Sequence, residues 1–203
     1  MSNILKMNPR PLNGVWKMGW ALDLHTLSSE FVGYDEQGHE VFDTTRSDLG
    51  EAVYQAKYKS DKEALVSIAL TVAAFLQEKP NLLKRTDVIV PMPPSKSGRS
   101  FQPVILLATE VGKLLAKTVD SAAVQKKRGT RELKNVKDYE ERSEILENAF
   151  TANASKLNGR GVLLLDDLYR SGATANAVAK ALYHDGGAAS VYFVAVTKTR
   201  SNR

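Results

Sequence analysis

The chain has 203 residues, 43% of them apolar and 25% charged, with a formal net charge of +5. That suits one well-buried domain with a small appendage and excludes a disordered tail. Cysteine is absent, which excludes disulfides and thiolate zinc sites, and no apolar run reaches membrane-spanning length, so no membrane partner and a cytoplasmic location are expected. The positive balance favours anionic partners, phosphorylated metabolites and nucleic acid alike.

Residues 1–15 contain Pro9, Pro11 and Gly14 and read as an irregular lead-in. Trp20 to His25 alternates, placing Trp20, Leu22 and Leu24 on one face of a strand. Phe31–Tyr34 and Glu40–Thr45 flank a turn at Gly38 and predict a β-hairpin. Ser47 or Asp48 then caps a helix with Leu49, Ala52, Val53 and Ala56 on one face, and Asp61 caps a longer one carrying Leu65, Ile68, Ala69, Val72, Ala73 and Leu76.

Asp87–Pro91 reads as a buried strand that opens into a proline-rich loop, Pro91 to Gln102. A helix follows from Pro103, with Ile105, Leu106, Val111, Leu114 and Leu115 as its apolar positions. Short strands are expected at Ala122–Gln125 and Phe150–Asn153, on either side of a charged, weakly periodic stretch from Lys126 to Glu147. Ser190–Val196 makes the last strand. The alternation predicts an α/β fold with a mainly parallel sheet flanked by helices. Residues 1–56 read as a strand, hairpin and helix forming a hood or appendage, and 57–203 as the α/β core.

The most informative stretch is Gly161 to Thr174. Val162–Leu165 is a continuous apolar run, as in a strand covered on both faces. Asp166 and Asp167 follow at its carboxyl end, where open α/β sheets bind ligands. A short loop, Arg170-Ser171-Gly172-Ala173-Thr174, then leads into a helix over Ala175–Tyr183. The first amides of such a helix lack partners and suit a phosphate. Gly172 permits close backbone approach, Ser171 and Thr174 add hydroxyl donors, and the two acids suit a sugar diol or a hydrated Mg²⁺. Rossmann, Walker and hydrolase patterns do not fit: the glycines are misplaced for the first two, and Tyr169 stands where a nucleophile elbow needs glycine.

The stretch resembles the phosphoribosyl-pyrophosphate (PRPP) motif of type I phosphoribosyltransferases: an apolar strand, two acids, then a Thr/Ser-Gly-x-Thr phosphate loop. Pro91-x-Pro93 with Ser95, Arg99, Phe101 and Gln102, Arg128-x-Thr130, Arg142, and Lys57-Tyr58-Lys59 resemble the ComF/GntX-like branch, from about Lys57 to Thr197. The cysteine zinc module usual near that branch's N-terminus is missing, and Leu133 replaces its usual glutamine.

The resemblance implies a type I phosphoribosyltransferase-like fold and a Mg²⁺-dependent displacement of pyrophosphate from PRPP by a base or amine acceptor. Asp166 and Asp167 would hold the ribose diol and, directly or through water, the metal. Arg170, Ser171, Gly172, Ala173 and Thr174 would take the 5′-phosphate. Ser95, Lys96, Arg99, Arg128 and Arg142 would meet the pyrophosphate. Arg170 stands where the 6-oxopurine branch carries an aspartate for the purine N7, which argues against hypoxanthine–guanine salvage. The alternative is a catalytically silent PRPP- or nucleotide-binding regulator, linked to DNA uptake or DNA metabolism. Nucleic acid binding by the basic loop is secondary, and a homo-oligomer is compatible with the sequence. The three histidines are scattered and suggest no metal cage, while Trp16 and Trp20 read as packing residues.

Overall fold

The structure, a computed structural model, describes residues 3–94, 102–127, 146 and 149–200. Its strands are β1 (Arg10–Pro11), β2 (Met18–Leu24), β3 (Thr26–Tyr34), β4 (Glu40–Arg46), β5 (Val88–Pro91), β6 (Thr118–Val119), β7 (Val124–Lys126), β8 (Phe150–Ala152), β9 (Gly161–Tyr169) and β10 (Ser190–Lys198). The described helices are α1 (Asp48–Tyr58), α2 (Lys62–Gln77), α3 (Pro80–Lys84), α4 (Pro103–Leu115), α5 (Ala154–Leu157) and α6 (Ala173–His184). Caps fix the helix starts where the sequence puts them. Ser47 accepts the Gly50 amide at the head of α1, and Asp61 accepts the amides of Glu63 and Ala64 at the head of α2.

Six strands form the central sheet in the order β1-β2-β10-β9-β5-β6, and every pairing except β1 with β2 is parallel. This is a mixed α/β fold with a mainly parallel sheet between helical layers. On one face Leu163, Leu165, Ile89, Val194 and Val196 pack with the apolar sides of α1, α2 and α4. On the other, Val162, Leu164, Val88, Val90 and Phe193 pack with α6 and the β7–β8 ribbon. Each of these fully buried aliphatic or aromatic side chains contributes about 1.5–3 kcal/mol by leaving water. The continuous apolar run of β9 follows from being covered on both faces.

The connections set the position of the site. From β5 the chain crosses through α4 to β6 on one side, and from β9 it crosses through α6 to β10 on the other. The boundary between β5 and β9 is therefore the topological switch point, where ligands of open α/β sheets bind at the carboxyl ends of the strands.

Several elements differ from the sequence expectation. The strand β9 continues past Leu165 to Tyr169, because Asp166, Leu168 and Tyr169 pair with Ala195, Thr197 and Lys198 of β10. Two acids in a row look like a strand end, yet pairing with one neighbour is enough to extend it. The helix α6 begins at Ala173, two residues early, and β10 runs on to Lys198.

The two-residue β6 was not foreseen, and β7 lies at Val124–Lys126 instead of Ala122–Gln125. On α4 the buried stripe is Leu107, Ala108, Val111 and Gly112, whereas Leu106 and Leu114 face water. The phase shifts because Gly112 is pressed against Val119 of β6, where a Cβ would collide.

Within residues 1–56, β2 lies inside the sheet, paired in parallel with β10. The lead-in is stitched to the core by Asn8 N–H to Leu22 O, Lys17 N–H to Val191 O, and Val15 N–H to Asn176 Oδ1. Trp16 is buried against Phe193 at 4.6 Å between ring centroids, and Trp20 packs on Phe75 at 5.8 Å. Both tryptophans are packing residues. The β3–β4 hairpin forms a separate two-stranded sheet with Phe31, Tyr34 and Phe42 exposed, and it turns at Gly38 with φ of +80°.

Gly161 opens β9 where a Cβ would run into the Arg85 carbonyl oxygen, while its amide donates to Asp87 at 2.7 Å. Both contacts lock the strand's entry. Gly161→Ala is expected to cost about 1–3 kcal/mol in denaturant unfolding. Gly38→Ala, which meets open space and suffers only backbone strain, should cost about 1–2 kcal/mol.

Candidate functional site

Strand β5 stays alongside β9 only as far as Pro91 opposite Leu165, and the last link is Met92 N–H to Leu165 O at 2.7 Å. Beyond it the chain departs through Pro93 and Pro94, which carry no amide hydrogen to continue the ladder. The strand β9 runs on, paired only with β10. The gap between them is a cleft of about 250 Å³ lined by Lys57, residues 92–94, residues 102–105, Asp166 to Gly172, Thr174 and Ala175. No hairpin residue lines it among the described residues.

Asp166, Asp167, Arg170, Ser171, Gly172 and Thr174 all line this cleft. Ala173 is a buried first residue of α6. Ser95, Lys96, Arg99, Arg128 and Arg142 lie outside the described residues.

The loop from Arg170 to Thr174 is a tight strand-to-helix corner. Gly172 takes φ of +82°, and a Cβ there would collide with the Tyr169 hydroxyl, so glycine is required twice over. The N-cap Gly172 has no side chain to cap α6, and the Ala173 amide donates to the Ser171 hydroxyl over a long 3.5 Å, a weak contact that an anion at the helix head could replace. The loop is braced from behind: the Gly172 carbonyl accepts the Asn176 amide at 2.8 Å and its side-chain nitrogen at 3.1 Å. Thr174 is exposed and Ser171 half-buried, so neither hydroxyl is spent in the core.

The two acids are adjacent on a strand and therefore leave it on opposite faces. Asp167 shares the Leu163–Leu165 face and meets Lys57 Nζ at 2.7 Å. Asp166 shares the Val162–Leu164 face and accepts the Asp167 amide at 2.8 Å. Burial, and then the neighbouring Asp167 carboxylate, pushes Asp166 from the usual 3.8 up to about 8. The amides of Asp167 and Leu168 and the Lys57 ammonium oppose that rise only in part.

Lys57 was not expected as a site residue. Its contact spans 110 positions of sequence, and its only signal was the Lys57-Tyr58-Lys59 run ahead of the long helix. Behind Asp167, Thr197 Oγ1 donates to the Asp167 carbonyl at 3.1 Å and lies 3.2 Å from His25 Nδ1. Burial, followed by the Arg46 charge, lowers the His25 pKa, so the ring is neutral near neutral pH and buttresses the strand.

Among the described residues no cluster of three or more His, Cys, Asp or Glu side chains could hold a metal ion. Asp167, with Asp166 once it gives up its proton, would nonetheless suit Mg²⁺, which keeps several waters and takes much of its coordination from phosphorylated ligands.

No family model matches the chain, and no curated protein sequence does. Solved structures similar to it include a Staphylococcus aureus hypoxanthine phosphoribosyltransferase, at 14% identity over 68% of this chain and 65% of that one, with a TM-score of 0.41. A Trypanosoma brucei adenine phosphoribosyltransferase aligns at 12% identity over 84% and 76%, with a TM-score of 0.43. The B. subtilis glutamine PRPP amidotransferase aligns at 15% over 80% of this chain, which spans 34% of that protein, with a TM-score of 0.46.

The Asp166 environment makes stability depend on pH. Between about 4 and 8 the folded state holds a proton that the unfolded chain releases, so stability falls as pH rises through that window. Without ligand or divalent cation, Asp166→Asn is expected to flatten this dependence and to gain a few kcal/mol over wild type at pH 8, roughly. Thermal melts at pH 5 to 8 check it; parallel profiles for the two proteins would contradict it.

Proposed function

We propose that the cleft binds PRPP and that the protein is a phosphoribosyltransferase, displacing pyrophosphate with a base or amine acceptor. What supports the reading most is one juxtaposition: a helix N-terminus with a glycine N-cap and two nearby hydroxyls stands beside two carboxylates, at the switch point of a parallel sheet. A phosphate fits the first group and a sugar diol the second, so a sugar phosphate satisfies both ends.

The 5′-phosphate then rests on Ser171 to Thr174 with the exposed Arg170 at its rim, and the ribose hydroxyls face Asp166 and Asp167. Asp166, protonated near neutrality, would donate to one hydroxyl; Asp167 would accept from the other. Mg²⁺, when bound, neutralises charge on the leaving pyrophosphate. The chain's own share is orientation of the anomeric carbon and exclusion of water by the apolar rim of Met92, Val104, Ile105 and Leu168. Ser95, Lys96, Arg99, Arg128 and Arg142 are the proposed pyrophosphate contacts, and membership of the ComF/GntX-like branch belongs to the same proposal.

The second reading, a PRPP-binding regulator without turnover, is favoured by one observation: of the two carboxyl groups in the described lining, Asp167 is paired with Lys57 and Asp166 has its pKa raised to about 8, so neither is a free base near neutral pH. Calorimetry with PRPP and Mg²⁺, beside pyrophosphate release across a panel of nucleobases and amines, separates the two. Binding with release identifies the transferase, and binding alone identifies the regulator. Gly172→Ala, which forces both the loop and the Tyr169 hydroxyl to move, should weaken PRPP binding at least tenfold. Equal affinity in wild type and Gly172→Ala, or no binding by wild type, would overturn the placement.

A further inference from the structure

Lys57 is the only residue of the first 57 that lines the cleft among the described residues, and it comes from the last turn of α1. Its ammonium lies 2.7 Å from Asp167 Oδ2, with side-chain exposures of 29% and 13%. On the far side of this pair is an apolar wall that includes Val53, Ala56, Leu65 and Ile68, around a gap of only about 10 Å³. That space is at the lower limit for a single water. The pair thus has protein behind it and the cleft in front, and poor screening strengthens the attraction.

A lysine placed this way does two things. It fixes the rotamer of Asp167 before any ligand arrives, and it occupies the oxygen that a cation would use. A flexible four-carbon stem lets the ammonium swing away without unfolding α1, which is held from its other end by the Ser47 cap and by Gly50 pressed against the His25 carbonyl.

We propose that Lys57 is a tethered counter-ion that occupies Asp167 while the cleft is empty, so that a divalent cation gains that carboxylate only together with a sugar phosphate. The inference rests on the phosphoribosyl reading for the identity of the ligand, and on the ion pair alone for the suppression of cation binding. Lys57 is a positioning residue in this account. A cation approaching the empty cleft must displace a bound ammonium and also meets its repulsion. Hydroxyls and phosphate arriving with the cation supply new donors to Asp167 and new ligands to the metal, which makes the exchange favourable.

The test uses Mn²⁺ as probe, with free and bound ion resolved by electron paramagnetic resonance. The full chain is compared as wild type, Lys57→Met and Lys57→Arg, with and without ribose 5-phosphate. Wild type should bind Mn²⁺ alone weakly and at least tenfold more tightly with ribose 5-phosphate. Lys57→Met, which keeps most of the apolar stem, should bind Mn²⁺ alone at least tenfold more tightly than wild type and lose most of the dependence on sugar phosphate. Lys57→Arg should behave as wild type.

Equal or weaker Mn²⁺ binding by Lys57→Met, with ribose 5-phosphate still bound, would overturn the counter-ion while leaving the phosphoribosyl reading intact. Failure of ribose 5-phosphate to bind any of the three proteins would overturn that reading and the joint entry with it. Lys57→Gln serves in place of Lys57→Met if circular dichroism shows the latter unfolded.

Discussion

The structure turns on the parting of two parallel strands. As far as Leu165, β9 is hydrogen-bonded on both edges and covered on both faces, and a carboxylate there would lose its hydration without compensation. One residue later β5 has turned away, and the next two side chains are acids. The same divergence that ends the ladder opens the cleft, so polar chemistry appears where the cover stops. Gly172 then reverses the chain tightly enough for the head of α6 to face the same opening.

Among the described residues, the ion pair at this opening is made by Lys57, with the exposed Arg170 at the rim. Lys57 pairs with Asp167, while partial burial and the neighbouring Asp167 carboxylate raise the Asp166 pKa to about 8. Opposite them stand helix amides and hydroxyls with a net positive potential. In the proposed reading, a sugar phosphate would meet acceptors at one end and donors at the other, with apolar walls between. The proposed transfer would rest on holding reacting groups in place and excluding water, the means open to a reaction whose leaving group is stabilised by charge. The His25–Thr197 contact behind the Asp167 carbonyl stiffens the strand that carries both acids.

Much of this was legible in the residues. Val162–Leu165 announced a doubly covered strand, Ser171-Gly172-Ala173-Thr174 a tight strand-to-helix corner, and Ser47 or Asp48, then Asp61, the starts of their helices. Other features were hidden for definite reasons. The sheet position of β2 depends on pairing with β10, some 170 residues away, and alternation within Trp20–Leu24 cannot name a partner. The extension of β9 through Tyr169 is likewise a property of its neighbour. The buried stripe of α4 was misplaced because Leu106 and Leu114 are as apolar as the residues that pack, and the packing partners of α4, including Val119 close against Gly112, are distant in sequence or unmarked by it. Lys57 looked like part of a charged helix end; folding makes it the partner of Asp167. The raised pKa of Asp166 comes first from partial burial in the fold, which no local pattern encodes.

The central claim is that the β9–α6 corner grips a sugar phosphate. Amide chemical-shift mapping of the ¹⁵N-labelled chain during titration with ribose 5-phosphate tests it most directly. The account predicts that the largest shifts fall on Ser171 to Ala175, with Asp166 and Asp167 next. Shifts centred elsewhere on the surface, or none at saturating ligand, would contradict it.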